Sequence, residues 1–272
     1  MTPLSFKEFD AVYQHSLTEI WQFWNDDMQR ELARHCMAWA PGRIDFRQYL
    51  RLSSIRFYHA YLALLRTGGA TVCDVGGFWG VWPVTLRRLG YEVAMTEALK
   101  YYGSSFDALF ECIRSKGVAI YDFDPFSTDA LPDKRFDLIT VMAVLEHYPH
   151  SLKTFVGNVK AMTVDYGAIF FEAPNIAYWP KRIGMLRGRT PLAAIEDIYN
   201  SDVPFIGHHH EFTRAELRDL ARLAGLIVLD EYSYCYSLAD KNAIKLALRY
   251  PVMSAVFLLS KTSRECVAML CR

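Results

Sequence analysis

Three sets of residues in this 272-residue chain have the types and spacing needed for chemistry. The first is Gly69-Ala-Thr-Val-Cys-Asp74-Val-Gly76-Gly77-Phe78-Trp-Gly80, an apolar run that meets a carboxylate and then turns through glycines. Glycine has no Cβ, so backbone there can bend sharply and lie close to a nucleotide-like ligand. The second set is acidic: Glu97 closes one apolar run, Asp122 another, and Glu146 follows a third. Open parallel sheets bind ligands at such strand ends. Glu97 stands 23 positions after Asp74, near the offset of about 20 at which these folds set an acid against ribose hydroxyls. A carboxylate can accept two hydrogen bonds from a diol. The third set is imidazole: His147, and the run His208-His209-His210. With an ordinary pKa of about 6.5, histidine is mostly neutral near pH 7 and can take a proton from an acceptor hydroxyl. If the run is extended, alternation sends His208 and His210 the same way.

These groups need elements to hold them. Residues 1–66 show helical spacing of apolar and aromatic positions, including Phe6, Phe9, Tyr13, Leu17 and Ile20. Pro41-Gly42 interrupts the pattern, and a second amphipathic stretch runs from about Phe46 to Leu65. From residue 70 strands alternate with helices, which predicts a parallel sheet covered on both faces. Strands are expected at 70–75, 91–96, 117–121, 136–142, 167–173, 226–232 and 264–271. A helix over 213–225 has Thr213 as its cap, Glu216 at the capping-box position and Gly225 at its end. The segment 175–211 is much longer than an ordinary strand-to-helix loop. It contains Tyr178, Trp179, Tyr199, the basic group Lys181, Arg182, Arg187 and Arg189, and the three histidines. It leaves the ligand edge of the sheet and reads as a substrate-contacting cap joined by the N-terminal helices.

The fourth strand and its exit read Phe136-Asp-Leu-Ile-Thr-Val-Met142-Ala143-Val-Leu-Glu146-His147-Tyr-Pro149. With the glycine turn and the ordered acids, this stretch makes residues 68–235 resemble the class I S-adenosylmethionine-dependent methyltransferases. The resemblance is to small-molecule types that include the ubiquinone-pathway O-methyltransferases. It implies an α/β fold with a seven-stranded, doubly wound, Rossmann-like sheet. Residues 1–66 would be a helical extension or lid, and 67–272 the methyltransferase domain with its cap insertion at 175–211. It implies S-adenosylmethionine as cofactor, with Asp74, Gly76, Gly77 and Gly80 against its amino-acid and ribose portions. Phe78 departs from the pattern, since a third alternating glycine usually stands there. Asp122 matches the adenine-side acid, with Asp124 its close competitor, and Phe123 would supply an apolar wall. Met142 and Ala143 would form the floor beneath the sulfonium. The Gly-His-x-His-Glu-Phe-Thr stretch resembles an acceptor-side segment, which favours His208 and His210 over His209.

The expected reaction is methyl transfer to a hydroxyl of a small molecule or glycan, a sugar slightly ahead of a phenol, with His147, His208 or His210 as the general base. Glu146, His147, His208 and His210 also form a possible metal set. Mg2+ is the first ion to test and zinc the more imidazole-friendly second. Certain ubiquinone-pathway relatives add an acidic ligand three residues before the glutamate, where this chain has Ala143. A metal-assisted enzyme acting on a phenol or polyketide, a cofactor-binding protein without turnover, and a nicotinamide enzyme are the alternatives. Thirty basic residues balance thirty acidic ones, so no overall positive field favours a nucleic acid. Six scattered cysteines without a CxxC pair and an N-terminus lacking a secretion layout point to the cytoplasm. Ala243 to Ser260 is strongly apolar but is interrupted by Lys245, Arg249 and Pro251. It reads as a buried or interface helix, with a homodimer slightly favoured and peripheral membrane contact a minor alternative, rather than a transmembrane span.

Overall fold

The computed structural model describes residues 3–124, 132–149, 151–238 and 243–272. Four helices come first: α1 (Phe6–Trp21), α2 (Asp26–His35), α3 (Phe46–Leu52) and α4 (Ser54–Thr67). The alternating region then runs β1 (Thr71–Val75), α5 (Val81–Arg88), β2 (Glu92–Glu97), α6 (Asp107–Ser115), β3 (Ala119–Asp122), β4 (Phe136–Met142), α7 (Leu152–Ala161) and β5 (Thr163–Pro174). After β5 come α8 (Trp179–Leu186), α9 (Ile195–Tyr199), α10 (Arg214–Leu223) and β6 (Val228–Tyr234). The chain closes with α11 (Ala243–Arg249), α12 (Pro251–Leu259) and β7 (Cys266–Cys271).

Local chemistry sets several boundaries. Ser5 caps α1 in a capping box with Glu8, and Thr213 caps α10 in the same way with Glu216. Gly68 ends α4 in the left-handed conformation.

The seven strands form one sheet in the order β3-β2-β1-β4-β5-β7-β6. Strands β1 to β5 pair in parallel, whereas β7 runs antiparallel to both β5 and β6. The expected parallel pairing therefore holds from β1 to β5, and the last strand is antiparallel. The cause is the last connection: Cys266 pairs with Pro174 and with Tyr234, so β7 starts at the edge where β5 and β6 finish. The α11–α12 connection returns the chain to that edge without crossing the sheet.

Each face of the sheet carries a core. One gathers Phe9, Tyr13, Ile20, Leu64, Trp82 and Phe106 with one side of the strands. The other gathers Phe155, Val159, Leu217 and Ala221 with the opposite side. The first core takes in α1 and α4, so the N-terminal extension is packed into the sheet's own interior. Full burial of each large apolar side chain contributes about 1.5–3 kcal/mol. A buried ion pair adds to this union: Arg56 of α4 binds Glu172 of β5 and also donates to the Tyr49 hydroxyl, 2.6 Å away.

Candidate active site

The C-terminal edge of β1, β2 and β4 opens into a cavity of about 980 Å3. Gly76 follows β1 with φ +64°, and its N–H donates to Thr96 O of β2 at 3.0 Å. That φ suits glycine, because a Cβ is strained in the left-handed region. At Gly77 the limit is space: a Cβ would lie 2.8 Å from Met95 Cβ and 3.0 Å from Asp74 Oδ2. Gly80 then precedes α5 as its N-cap. Phe78 fits where a glycine was expected, for its φ is not positive and its ring leans on Trp79, Tyr102 and Phe106 along the cavity wall.

Glu97 is buried and lines the cavity. Its Oε1 accepts from Phe78 N at 2.6 Å and its Oε2 from the Tyr102 hydroxyl at 2.9 Å. Each carboxylate oxygen has two lone pairs, so both can accept another bond. Burial pushes this carboxyl up to about 7. Asp74, also buried and lining the cavity, accepts from Thr140 Oγ1 at 2.6 Å. Burial raises it to about 8 although the Thr140 bond favours its charged form. Phe123 and Met142 are buried and line the same cavity.

Asp122 is placed otherwise. It is exposed, does not line the cavity, and accepts from Leu99 N at 3.0 Å. Its competitor Asp124 lines the cavity beside Lys100, whose Nζ is 3.0 Å away. The strand β3 ends at Asp122, so alternation stops there and Phe123 and Asp124 both face the cavity.

At β4 the chain turns sharply through Ala143, the one non-glycine residue with positive φ among the described residues, at +54°. A single 3-10 turn over Leu145–His147 follows. Glu146 is fully buried, and neither carboxylate oxygen has a hydrogen-bond partner among the described residues. Burial pushes it up to about 7, and nearby His208 opposes that rise. His147 Nδ1 lies 2.6 Å from Ile206 O. A carbonyl oxygen only accepts, so Nδ1 carries the proton and Nε2 the lone pair. Burial pulls His147 down to about 3, and His208 beside it acts in the same direction.

The cap insertion completes the cluster. His208 Nδ1 lies 2.9 Å from Glu211 Oε1, which leaves its Nε2 for other work, and Lys181 of α8 pairs with the same Glu211. Burial alone would raise Glu211, but the bonds from His208 and Lys181 hold it below the usual carboxylate range. One ligand atom from each of Glu146, His147 and His208 lies within 4.8 Å of the others. His210 does not join them. The segment bends instead of running extended, because the His209 and His210 N–H groups both approach Glu146 O, at 2.7 and 3.4 Å. His210 therefore turns out of the cavity, with Nε2 3.2 Å from Glu216 Oε1. His209 binds Phe205 O at 3.0 Å.

The aromatic end of the cavity was not expected from the sequence. Trp39, Tyr49, Trp79 and Tyr236 line it around Arg56, and Trp39 meets the His147 ring edge-on at 6.0 Å. The readable signal was Glu172, an acid inside the apolar run of β5 that demands a buried cation.

The arrangement fits S-adenosylmethionine. The Gly76-Gly77 cradle is too tight for any Cβ, and the buried carboxylates Asp74 and Glu97 are costly until a positively charged ligand with hydroxyl donors joins them.

The sequence profile of a family described as a methyltransferase domain matches residues 46–231. No curated protein matches the chain. Among solved structures, an S-adenosylmethionine-dependent methyltransferase from Clostridium acetobutylicum ATCC 824 is similar at 12% identity and a TM-score of 0.52, over 84% of this chain and 98% of that one. Magnesium protoporphyrin IX methyltransferase from Synechocystis PCC 6803, with S-adenosylhomocysteine bound, is similar at 14% identity and a TM-score of 0.51, over 94% of this chain and 98% of that one. At such identities the likeness is one of fold. The matched family, the strand order and the glycine cradle agree: the chain belongs to the class I S-adenosylmethionine-dependent methyltransferases, and S-adenosylmethionine is its cofactor.

Proposed function

We propose that the enzyme methylates a hydroxyl of a ring-bearing small molecule, and that Glu146, His147 and His208 hold a divalent cation at the acceptor oxygen. The observation that supports this is the Glu146 carboxylate, fully buried with neither oxygen partnered among the described residues, next to two imidazoles whose other nitrogens are engaged by Ile206 O and Glu211. Such a carboxylate is costly unless a cation or a proton joins it. Imidazoles held by a backbone carbonyl and a carboxylate have the outer support that metal-ligating histidines use. Two nitrogens and one carboxylate favour zinc over Mg2+.

The pull of His147 down to about 3 makes it a weak base but keeps it a neutral ligand, which sets this reading ahead of a free histidine base. When bound, the ion would lower the pKa of the acceptor hydroxyl, while S-adenosylmethionine supplies an electrophilic methyl group. The chain's own residues do the positioning. Glu97 accepts from the ribose hydroxyls, the Gly76-Gly77 backbone admits the nucleoside, and Trp39, Tyr49 and Tyr236 offer ring faces to a phenol or a sugar. Asp124, rather than Asp122, is the acid on the adenine side of the cavity. The new O–CH3 bond forms as the C–S bond breaks, the C–S electron pair stays on sulfur, and the hydroxyl proton passes to solvent water. Without an ion, Glu146 at about 7 is the group suited to take that proton, and this is the second reading.

The test is calorimetric titration of chelator-treated enzyme with Zn2+ and Mg2+, alongside release of S-adenosylhomocysteine over a panel of phenols and glycans. The expected result is uptake of one ion, loss of turnover on chelation and recovery on adding the ion back. Glu146→Gln and His208→Ala should each weaken ion binding about tenfold or more. No ion uptake with turnover intact after chelation would overturn the metal reading and leave Glu146 as the base.

A further inference from the structure

Two apolar segments stand on the outside of the molecule instead of inside it. No described side chain of helices α11 and α12 is buried, and Leu248, Val252, Leu258 and Leu259 are 79%, 65%, 81% and 89% exposed. Exposed apolar side chains in one continuous group mark an interaction surface, whereas scattered ones do not. A second group lies on α8, where Met185 and Leu186 are exposed. The two are joined. Tyr178, just before α8, stacks on Phe257 of α12 at 6.0 Å, and the Asn175 side-chain amide donates to Thr262 O and Arg264 O just after it.

The charge in the sequence of these two segments has one sign. Between Asn175 and Ala194 the sequence has no acid and contains Arg182, Arg187 and Arg189, beside Lys181, whose charge is taken up by Glu211. Between Lys241 and Arg264 it again has no acid but contains Lys245, Arg249 and Lys261. The whole chain is neutral, so the excess is local to these two segments. Among the described residues no helix is long and apolar enough to cross a membrane. Short helices with bulky aliphatic side chains and basic flanks, joined at Pro251, instead suit a bilayer interface, their apolar side chains among the acyl boundary and their cations at the headgroups.

We propose that the α11–α12 hairpin, together with α8, docks the enzyme on an anionic lipid bilayer. The basic residues decide between this occupant and a second copy of the chain. A copy paired face to face would set Lys245, Arg249 and Lys261 against the same cations, whereas anionic headgroups complement them. The placement has a consequence for access. Lys181 of α8 and Leu192 of the following segment line the cavity, so docking sets this side of the acceptor pocket beside the lipid surface. The docking proposal does not depend on which atom is methylated.

The test is co-sedimentation of the full chain with vesicles of phosphatidylcholine alone and of phosphatidylcholine mixed with phosphatidylglycerol. Binding is expected to the mixed vesicles, to be weak on phosphatidylcholine alone, and to fall with added salt. Leu258→Glu with Leu259→Glu, and separately Lys245→Glu with Arg249→Glu, should each reduce the partition coefficient about tenfold or more. Both variants should keep the wild-type melting temperature and S-adenosylmethionine affinity, since neither touches the cavity. Wild-type protein that stays in the supernatant with mixed vesicles would overturn the proposal. So would variants that sediment like the wild type, or a concentration-dependent dimer in ultracentrifugation that Leu258→Glu with Leu259→Glu dissolves while vesicle binding is absent.

Discussion

Glu97 and Asp74 show what burial does to individual carboxylates. Glu97 holds two donors, Phe78 N and the Tyr102 hydroxyl, and faces the cavity with lone pairs to spare. Glu97→Gln would turn an amide N–H toward one of these donors and remove the negative charge. S-adenosylmethionine affinity should fall about 10- to 100-fold, the range for a charged hydrogen bond, as read by calorimetry. Asp74 sets a pH dependence. Its carboxyl is raised to about 8 in the native chain, so the native state keeps a proton that the unfolded state loses above about pH 4. The stability this proton confers is fully present below about pH 4 and is lost as pH rises toward about 8. Glu97, raised to about 7, adds to the same trend. Ligand-free protein should therefore show a denaturant midpoint that declines over this window, and Asp74→Asn should flatten the decline. An unchanged slope in the variant would remove Asp74 from the account.

Elements meet through a few polar ties as well as through apolar packing. Arg56 joins α4 to Glu172 of β5 with both side chains buried, and its guanidinium lies 5.2 Å from the centre of the Tyr236 ring. Breaking one side of a buried pair leaves the other charge alone. Glu172→Gln should therefore cost about 3–5 kcal/mol of stability by denaturant unfolding. The double variant Arg56→Met with Glu172→Leu removes both charges and should recover much of that loss. If it is no better than Glu172→Gln, the pair is not the source of the cost. The cap is held in a different way. Its backbone reaches the extension through Asp202 N to Arg34 O at 2.5 Å and Ile206 N to His35 O at 2.9 Å, and the exposed Arg34–Asp202 ion pair lies beside these bonds. An exposed pair contributes about 0–1 kcal/mol, so Asp202→Ala should leave the melting temperature nearly unchanged.

On the scale of the whole molecule, the helical extension and the sheet share one interior. Phe9 and Tyr13 of α1 are fully buried in the cluster that also contains Trp82 and Leu138. A chain beginning at residue 46 would expose that cluster. It should lose cooperative thermal unfolding, whereas the full chain should unfold in a single transition by calorimetry. Two separate transitions in the full chain would show that the extension folds by itself. The same union shapes the site, because Trp39, Phe46 and Tyr49 of the extension and Lys181 and His208 of the insertion meet around one cavity.

What could be read from the chain alone was whatever short-range rules govern. The glycine turn after β1, the acids at the strand ends, the capping box at Thr213 and all seven strands follow from residue spacing, because periodicity and backbone preference act within a few residues. Strand direction did not follow: β7 is antiparallel because its connection stays at one sheet edge, a matter of path rather than of local pattern. The choice among the histidines likewise belonged to the tertiary structure. His208 and His210 stand two residues apart in a pattern that would align them on a strand, yet two N–H groups approaching the single carbonyl of Glu146 bend the chain and send one ring in and the other out. Glu146 and Arg56 gained their meaning only in three dimensions, since a charge becomes expensive, and so chemically informative, when distant parts of the chain close over it and exclude water.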